Sequence, residues 1–178
     1  MDGPTLEALR AEIPDAAKDI RLNLEAVLQP GTLSLAQRWL VAMACAFAAR
    51  NGRLAEAVVA EAQAAGVGEE IVDEARAAAS LMAMNNVYYR FRHLIGKASY
   101  AERPARLRMN RLGRPSGARA DLELACLAVS AINGCESCMR AHEAAVVEGG
   151  LSEDHVHDAV RIAATIKAAA VSLELDRG

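Results

Sequence analysis

Two cysteines, a histidine and a glutamate carry the chemistry that can be read in this sequence. Cys135, Cys138 and His142 stand at i, i+3 and i+7 in the stretch from Asp121 to Val147, DLELACLAVSAINGCESCMRAHEAAVV. On a helix that spacing puts all three on one face. It also lets the two sulfurs close a disulfide with little backbone movement. Asn133-Gly134 is a break signal, and it is expected to place Cys135 in the first turn of a new helix. A helix N-terminus lowers a thiol's pKa, and the thiolate is the nucleophile. Cys138 is expected one turn deeper, with His142 above it at i+4. Glu123 lies twelve positions before Cys135, among Leu122, Leu124 and Ala125. Desolvation there is expected to raise its pKa towards neutrality and make it a candidate base.

The same residues admit blander readings. Cys135 and Cys138 could be buried thiols. With His142 and Glu123 they could also make a zinc site, but structural zinc motifs normally bring a second Cys or His pair. No metal is therefore assigned. Glu123 taken alone could cap a buried polar network. Cys45 and Cys126 have no partner at a suggestive spacing and read as core packing.

The scaffold around these residues reads as helical throughout. The chain has 178 residues, enough for one domain or two small halves sharing a core. It is 53% hydrophobic yet only 3% aromatic, with much alanine, so its helices can approach closely. The aromatic and β-branched runs that strands prefer are scarce. A net charge of −3 implies neither nucleic acid nor an acidic membrane as partner. Asp2, Glu7 and Glu12 argue against a signal peptide, and no stretch is long and uncharged enough to span a bilayer. The expected location is the cytoplasm, where a close cysteine pair points to catalysis or metal rather than a structural disulfide.

In chain order, Thr5 to Ile13 and Pro14 to Leu28 read as two short helices. Ser34 caps a helix through Trp39, Met43 and Phe47 to Arg50, and another follows Asn51-Gly52 as far as Ala65. A long helix runs from Glu69 past Phe91. Its Met82, Met84, Tyr88 and Tyr89 read as core or subunit contact. The last helix opens at Ser152 with Glu153 and Asp154 in its first turn. His93, His155 and His157 read as surface residues. Between the halves, Lys97 to Arg119 carries seven basic residues against Glu102 alone. It reads as a solvated linker or as a docking surface for an acidic partner.

An internal repeat joins the halves, the N-terminal copy at about 33–93 and the C-terminal copy at about 119–174, within one domain over 1–178. MACAFAARNG (43–52) matches ACLAVSAING (125–134), and AAGVGEEIVDEA (64–75) matches EGGLSEDHVHDA (148–159). On that register Val41 stands where Glu123 is, and positions 53 and 56 stand where the cysteines are. Only the C-terminal half carries the chemistry.

The sequence also resembles the alkyl hydroperoxide reductase D (AhpD) family, within the wider carboxymuconolactone decarboxylase-like superfamily. The resemblance spans nearly the whole chain through AKDIRLNL (17–24), MAMNNVYYR (82–90), LRMN (107–110) and LELACLAVSAINGCESCMRAHE (122–143). It implies an all-helical homotrimer. It also implies a catalytic glutamate, cysteine pair and histidine at Glu123, Cys135, Cys138 and His142. The implied activity is hydroperoxide reduction by a Cys135–Cys138 redox disulfide. No bound cofactor is implied; dihydrolipoamide on a lipoyl-bearing protein is the reductant, and the peroxiredoxin AhpC is a further partner. The family can carry a second active-site histidine between the cysteines; here that position is Ser137, which can hold a relay water but cannot titrate near neutrality. The expected function is thus a lipoyl-dependent peroxidase. The alternatives are a thiol-disulfide reductase serving AhpC and a zinc-stabilised interaction module.

Overall fold

The computed structural model describes residues 3–175; Asp2 of the acidic N-terminus lies outside them. All the regular structure of these residues is helical. After α1 (Leu6–Glu12), a 3-10 turn at Asp15–Ala17 leads into α2 (Lys18–Val27). Then come α3 (Leu35–Ala49), α4 (Gly52–Ala64) and the long α5 (Glu69–Ile95). The basic segment holds the short α6 (Ala98–Ala101) and a 3-10 turn at Asn110–Gly113, and α7 (Arg119–Asn133), α8 (Glu136–Glu148) and α9 (Glu153–Ser172) complete the fold.

Local signals set the helix ends. Ser34 and Gln37 form a reciprocal capping box at the start of α3. Asn51 accepts from the Leu54 N–H at the start of α4. Acids occupy the first turns of α5, α8 and α9, where the helix dipole favours them. His155 has a structural task, closing a capping box with Ser152.

Helices α3 and α7 form the centre. Each packs on α5 and α9, and they pack on each other. Val41 through Ala46 of α3, and Leu124, Ala125, Cys126, Ala128 and Val129 of α7, are fully buried. Small residues at these positions let the two helices sit close enough to share neighbours. The corner of α8 and α9 is as tight: a Cβ on Gly149 would lie 2.7 Å from the Cβ of Ala120.

The repeat is present, but on a different register from the one the matching Asn-Gly pairs suggest. A single offset of 84 residues carries Leu35–Ala49 onto Arg119–Asn133, Gly52–Ala64 onto Glu136–Glu148, and the start of α5 at Glu69 onto the start of α9 at Glu153. Arg50 and Gly134 then coincide, both with φ of 66°. Glu123 therefore corresponds to Trp39 rather than Val41, and Cys135 and Cys138 correspond to Asn51 and Leu54.

The segment Lys97–Arg119 is more than a solvated linker. Arg111 donates to Glu74 at 2.7 Å and to Ser116 at 2.8 Å, and the Ser116 N–H donates to the same Glu74 carboxylate. Glu74 is buried, so this contact pins the loop to α5. Arg103, Arg106, Arg108 and Arg114 remain exposed.

Candidate active site

Helix α7 ends when Gly134 turns the chain with a positive φ, a conformation that costs glycine little. The next N–H, of Cys135, is satisfied by the Ser130 carbonyl at 3.1 Å. Helix α8 starts at Glu136, so Cys135 is its N-cap rather than a member of its first turn. Cys138 occupies the third helical position. Both sulfurs thus stand at the positive end of α8, and they are bonded to each other with 5.3 Å between the Cα atoms. Cys135 is 0% exposed and Cys138 6%. Ser137 places its hydroxyl 3.7 Å from the Cys135 sulfur.

Glu123 and His142 meet one helical turn along α8 from Cys138. Oε2 of Glu123, on α7, lies 2.7 Å from Nδ1 of His142, on α8. The other carboxylate oxygen accepts from Nε of Arg119 at 3.3 Å, one turn earlier on α7. The hydrogen bond from His142 outweighs burial and, with Arg119, holds the Glu123 carboxyl below the usual carboxylate range. This corrects the expectation from desolvation alone, which had the opposite sign. Glu123 is thus an ionised partner for the imidazole.

Residues singled out in the sequence are thus gathered along the α7–α8 pair: Cys135 and Cys138 at the start of α8, and His142, one turn beyond Cys138, bonded to Glu123 of α7. Cys45 and Cys126 are free and fully buried, and burial pushes both thiols up, away from reactivity. His93 is half-exposed, 3.7 Å from Glu136 beside the disulfide, and His157 is exposed. Among the described residues, no group of three or more His, Cys, Asp and Glu side chains is arranged to hold a metal ion. Nor is any of the described helices long and apolar enough to cross a membrane.

A family model described as the Carboxymuconolactone decarboxylase family matches residues 98–174, which contain the whole disulfide corner. The chain is 66% identical over 171 residues to the alkyl hydroperoxide reductase AhpD of Anaeromyxobacter sp. (strain K), covering 96% of this chain and 91% of that one. The chain belongs to the AhpD family. The proteins of the same name from Rhodospirillum centenum and Methylobacterium sp. (strain 4-46) are 48% and 49% identical to it, over 96% or more of this chain and 92% or more of theirs.

In this AhpD-family chain α5 also contributes to the corner, which spacing along the sequence did not reveal. Met82 is fully buried, and its sulfur lies 3.2 Å from Nε2 of His142. It is a wall of the site and not a subunit contact. Asn86, one turn on, donates to Ser130 of α7 at 2.9 Å and accepts from Asn133 at 2.9 Å. Arg90 adds a hydrogen bond to the Asn133 carbonyl. These bonds tie the end of α7, and so the cysteine corner, to α5. The only hint in the sequence was the MAMNNVYYR stretch itself, whose methionines look like ordinary core at helical spacing.

Proposed function

We propose that the chain is an alkyl hydroperoxide reductase that works through the Cys135–Cys138 dithiol. In the reduced protein Cys138, one turn from His142, is the attacking thiolate. It attacks one oxygen of the hydroperoxide, the O–O bond breaks, and the alkoxide leaves with a proton from the imidazolium. Cys138 is then a sulfenic acid. The Cys135 thiol then gives up its proton as its sulfur displaces hydroxide from the sulfenic acid; the hydroxide takes that proton and leaves as water, and the disulfide forms. Glu123 steadies the imidazolium, and Ser137 has a hydroxyl that can hold a relay water. A dithiol then returns two electrons to the pair. No bound metal or organic cofactor takes part.

The observation that carries this reading is the bonded cysteine pair at the N-terminus of α8, with the Glu123–His142 pair one helical turn on from Cys138. The family name carried by the relatives agrees with it. We assign dihydrolipoamide, presented on a lipoyl-bearing protein, as the reductant and AhpC as a second partner; the exposed arginines of the 97–119 segment suit an acidic docking face. We also assign a homotrimer, acting in the cytoplasm. Its contacts draw on the apolar stripe Val87, Phe91, Leu94 and Ile95, which α5 leaves exposed at helical spacing.

The test is organic hydroperoxide turnover by purified protein with dihydrolipoamide regeneration, with and without AhpC. Turnover without AhpC supports the reading. Reduction of AhpC with no direct turnover would leave a thiol-disulfide reductase instead. Stoichiometric zinc in the purified protein, with no disulfide formed by peroxide, would favour an interaction module.

A further inference from the structure

The environment of His142 raises a question of proton count. Its Nδ1 faces the Glu123 carboxylate at 2.7 Å, and its Nε2 faces the Met82 sulfur at 3.2 Å. A thioether has lone pairs but no hydrogen to give. It cannot donate to Nε2, so that contact is a hydrogen bond only if Nε2 carries a proton. A carboxylate likewise only accepts, and the Arg119 N–H already donates to its other oxygen. A ring with donors on both nitrogens, the imidazolium, satisfies both contacts, whereas a neutral ring with its proton on Nδ1 leaves Nε2 facing the sulfur with no hydrogen between them. Moving the proton from Nδ1 onto Glu123 changes its address but not the count.

The sulfur is placed as a terminal acceptor. Asn133 donates to Asn86, Asn86 donates to Ser130, and the Ser130 hydroxyl points at the Met82 sulfur from 3.5 Å. The Asn86 amide itself stands 3.8 Å from that sulfur. Donors from α5 and α7 thus converge on it with the imidazole, and none of them is charged. The ionisable groups around the pair include Arg119 and the buried Cys126 thiol on α7; Glu74 of α5, which also acts on Cys126, is already paired by Arg111.

We propose that Met82 is a positioning residue: its thioether accepts the Nε2–H of His142, so that the Glu123–His142 pair holds one proton more than a carboxylate beside a neutral imidazole while Cys135 and Cys138 are bonded to each other. The stored proton has a use in the reductive half of the cycle. A thiolate of the incoming dithiol attacks one sulfur of the pair, the S–S bond breaks, and the displaced sulfur leaves as a thiolate. The imidazolium protonates it and becomes neutral, with the new mixed disulfide on the other cysteine. This use rests on the dithiol chemistry proposed above. The proton count does not, and it is measured without turnover.

The experiment is nitrogen-15 NMR of the histidine rings in the oxidised protein through a pH titration, for wild type, Met82→Leu and Met82→Gln. Leucine fills the space with no acceptor; glutamine restores one at similar length. In wild type His142 should carry protons on both nitrogens at neutral pH. Its midpoint should fall in Met82→Leu by roughly half a pH unit, the size expected of one neutral hydrogen bond, and recover in Met82→Gln. An unprotonated Nε2 in wild type would overturn the proposal. So would equal midpoints in wild type and Met82→Leu, or a fall in Met82→Gln as large as in Met82→Leu, which would mark a packing role alone. Intact proton storage in a protein that fails to turn over peroxide would leave this inference standing and the functional reading broken.

Discussion

Arg111 reaches back 37 residues along the chain to set its guanidinium 2.7 Å from the buried carboxylate of Glu74. A charge buried with its partner removed is costly, because water cannot replace what was lost. Arg111→Ala leaves Glu74 with only the Ser116 N–H, and we expect it to destabilise the protein by about 2–3 kcal/mol. Arg106→Ala and Arg108→Ala, at exposed positions, should each change stability by less than about 0.5 kcal/mol. Chemical denaturation of the three variants checks this. Equal stabilities would mean that the Arg111–Glu74 contact contributes nothing net.

The docking role of the basic segment must therefore be tested away from Arg111. Charge reversal at Arg106 and Arg108 should weaken reduction by a lipoyl-bearing protein several-fold, more at low salt than at high. Use of free dihydrolipoamide should not change, since both residues are exposed and lie outside the helices that carry the cysteines, His142 and Glu123. Equal loss with both donors would assign these arginines to something other than docking.

The Glu123 carboxyl is held below its ordinary range chiefly by His142. An acid whose folded pKa is depressed stabilises the fold above its unfolded pKa and loses that contribution as pH falls through the folded one. Wild type should therefore exceed Glu123→Gln in stability at neutral pH, and the gap should close in acid, below the ordinary carboxylate range. Glu123→Gln should also slow peroxide reduction by roughly 100-fold or more, with partial recovery at higher pH as thiols ionise unaided. Denaturation of both proteins across pH, with peroxide kinetics beside it, reads both effects. A stability gap that widens in acid would reverse the assigned charge.

What could be read from the sequence follows from covalent spacing. Cys135, Cys138 and His142 lie within eight residues of one helix start, and their shared face follows from helical geometry alone. Glu123 stood out as a lone acid among apolar neighbours. Met82 and Asn86 carried no such signal, because their partners His142 and Ser130 are 60 and 44 residues away and helix packing alone brings them together. The repeat is visible in the sequence, where the 64–75 and 148–159 segments already stand at the observed offset of 84 and only the Asn-Gly match is two residues out. Its two Asn-Gly pairs look alike and do different work. Asn51 caps the start of α4, whereas Asn133 ends α7 and Gly134 takes the left-handed turn that Arg50 takes in the other half. The sign of the Glu123 shift is not legible from the sequence for a related reason. Burial was legible from its neighbours, but the imidazole that outweighs burial comes from another helix.

The exposed stripe on α5 gives the assembly a specific weak point. Val87 and Leu94 are 61% and 75% exposed in the single chain. In a trimer built on that stripe, Leu94→Glu would bury an unpaired charge at each contact, a cost of several kcal/mol. We expect the variant to sediment as a monomer at micromolar concentration while wild type sediments as a trimer. A monomeric wild type would remove the assigned assembly, and a trimeric Leu94→Glu would move the contact elsewhere.

The two sulfurs are not equivalent towards peroxide. Cys135 caps α8 and Cys138 lies in its first turn, so the helix dipole acts on both and separates them less than a start at Cys135 would have done. Two differences remain. Cys138 is one helical turn from His142, and an imidazolium at that range stabilises a thiolate as an ion pair more than a shared partial charge can. Cys138 is also the less buried residue of the two, 6% exposed against 0% for Cys135, which favours approach from its side. Both arguments select Cys138 for attack and Cys135 for resolution. Single Cys→Ser variants treated with one equivalent of organic hydroperoxide and a sulfenic-acid trap decide the matter. Cys135→Ser should give trapped sulfenate at Cys138, and Cys138→Ser should give little. His142→Gln placed in the Cys135→Ser background should slow trapping and shift its pH dependence upward, because Cys138 must then ionise without its partner. Ready trapping at Cys135 in the Cys138→Ser variant would exchange the two roles and leave the N-cap position, rather than the histidine, as what selects the nucleophile.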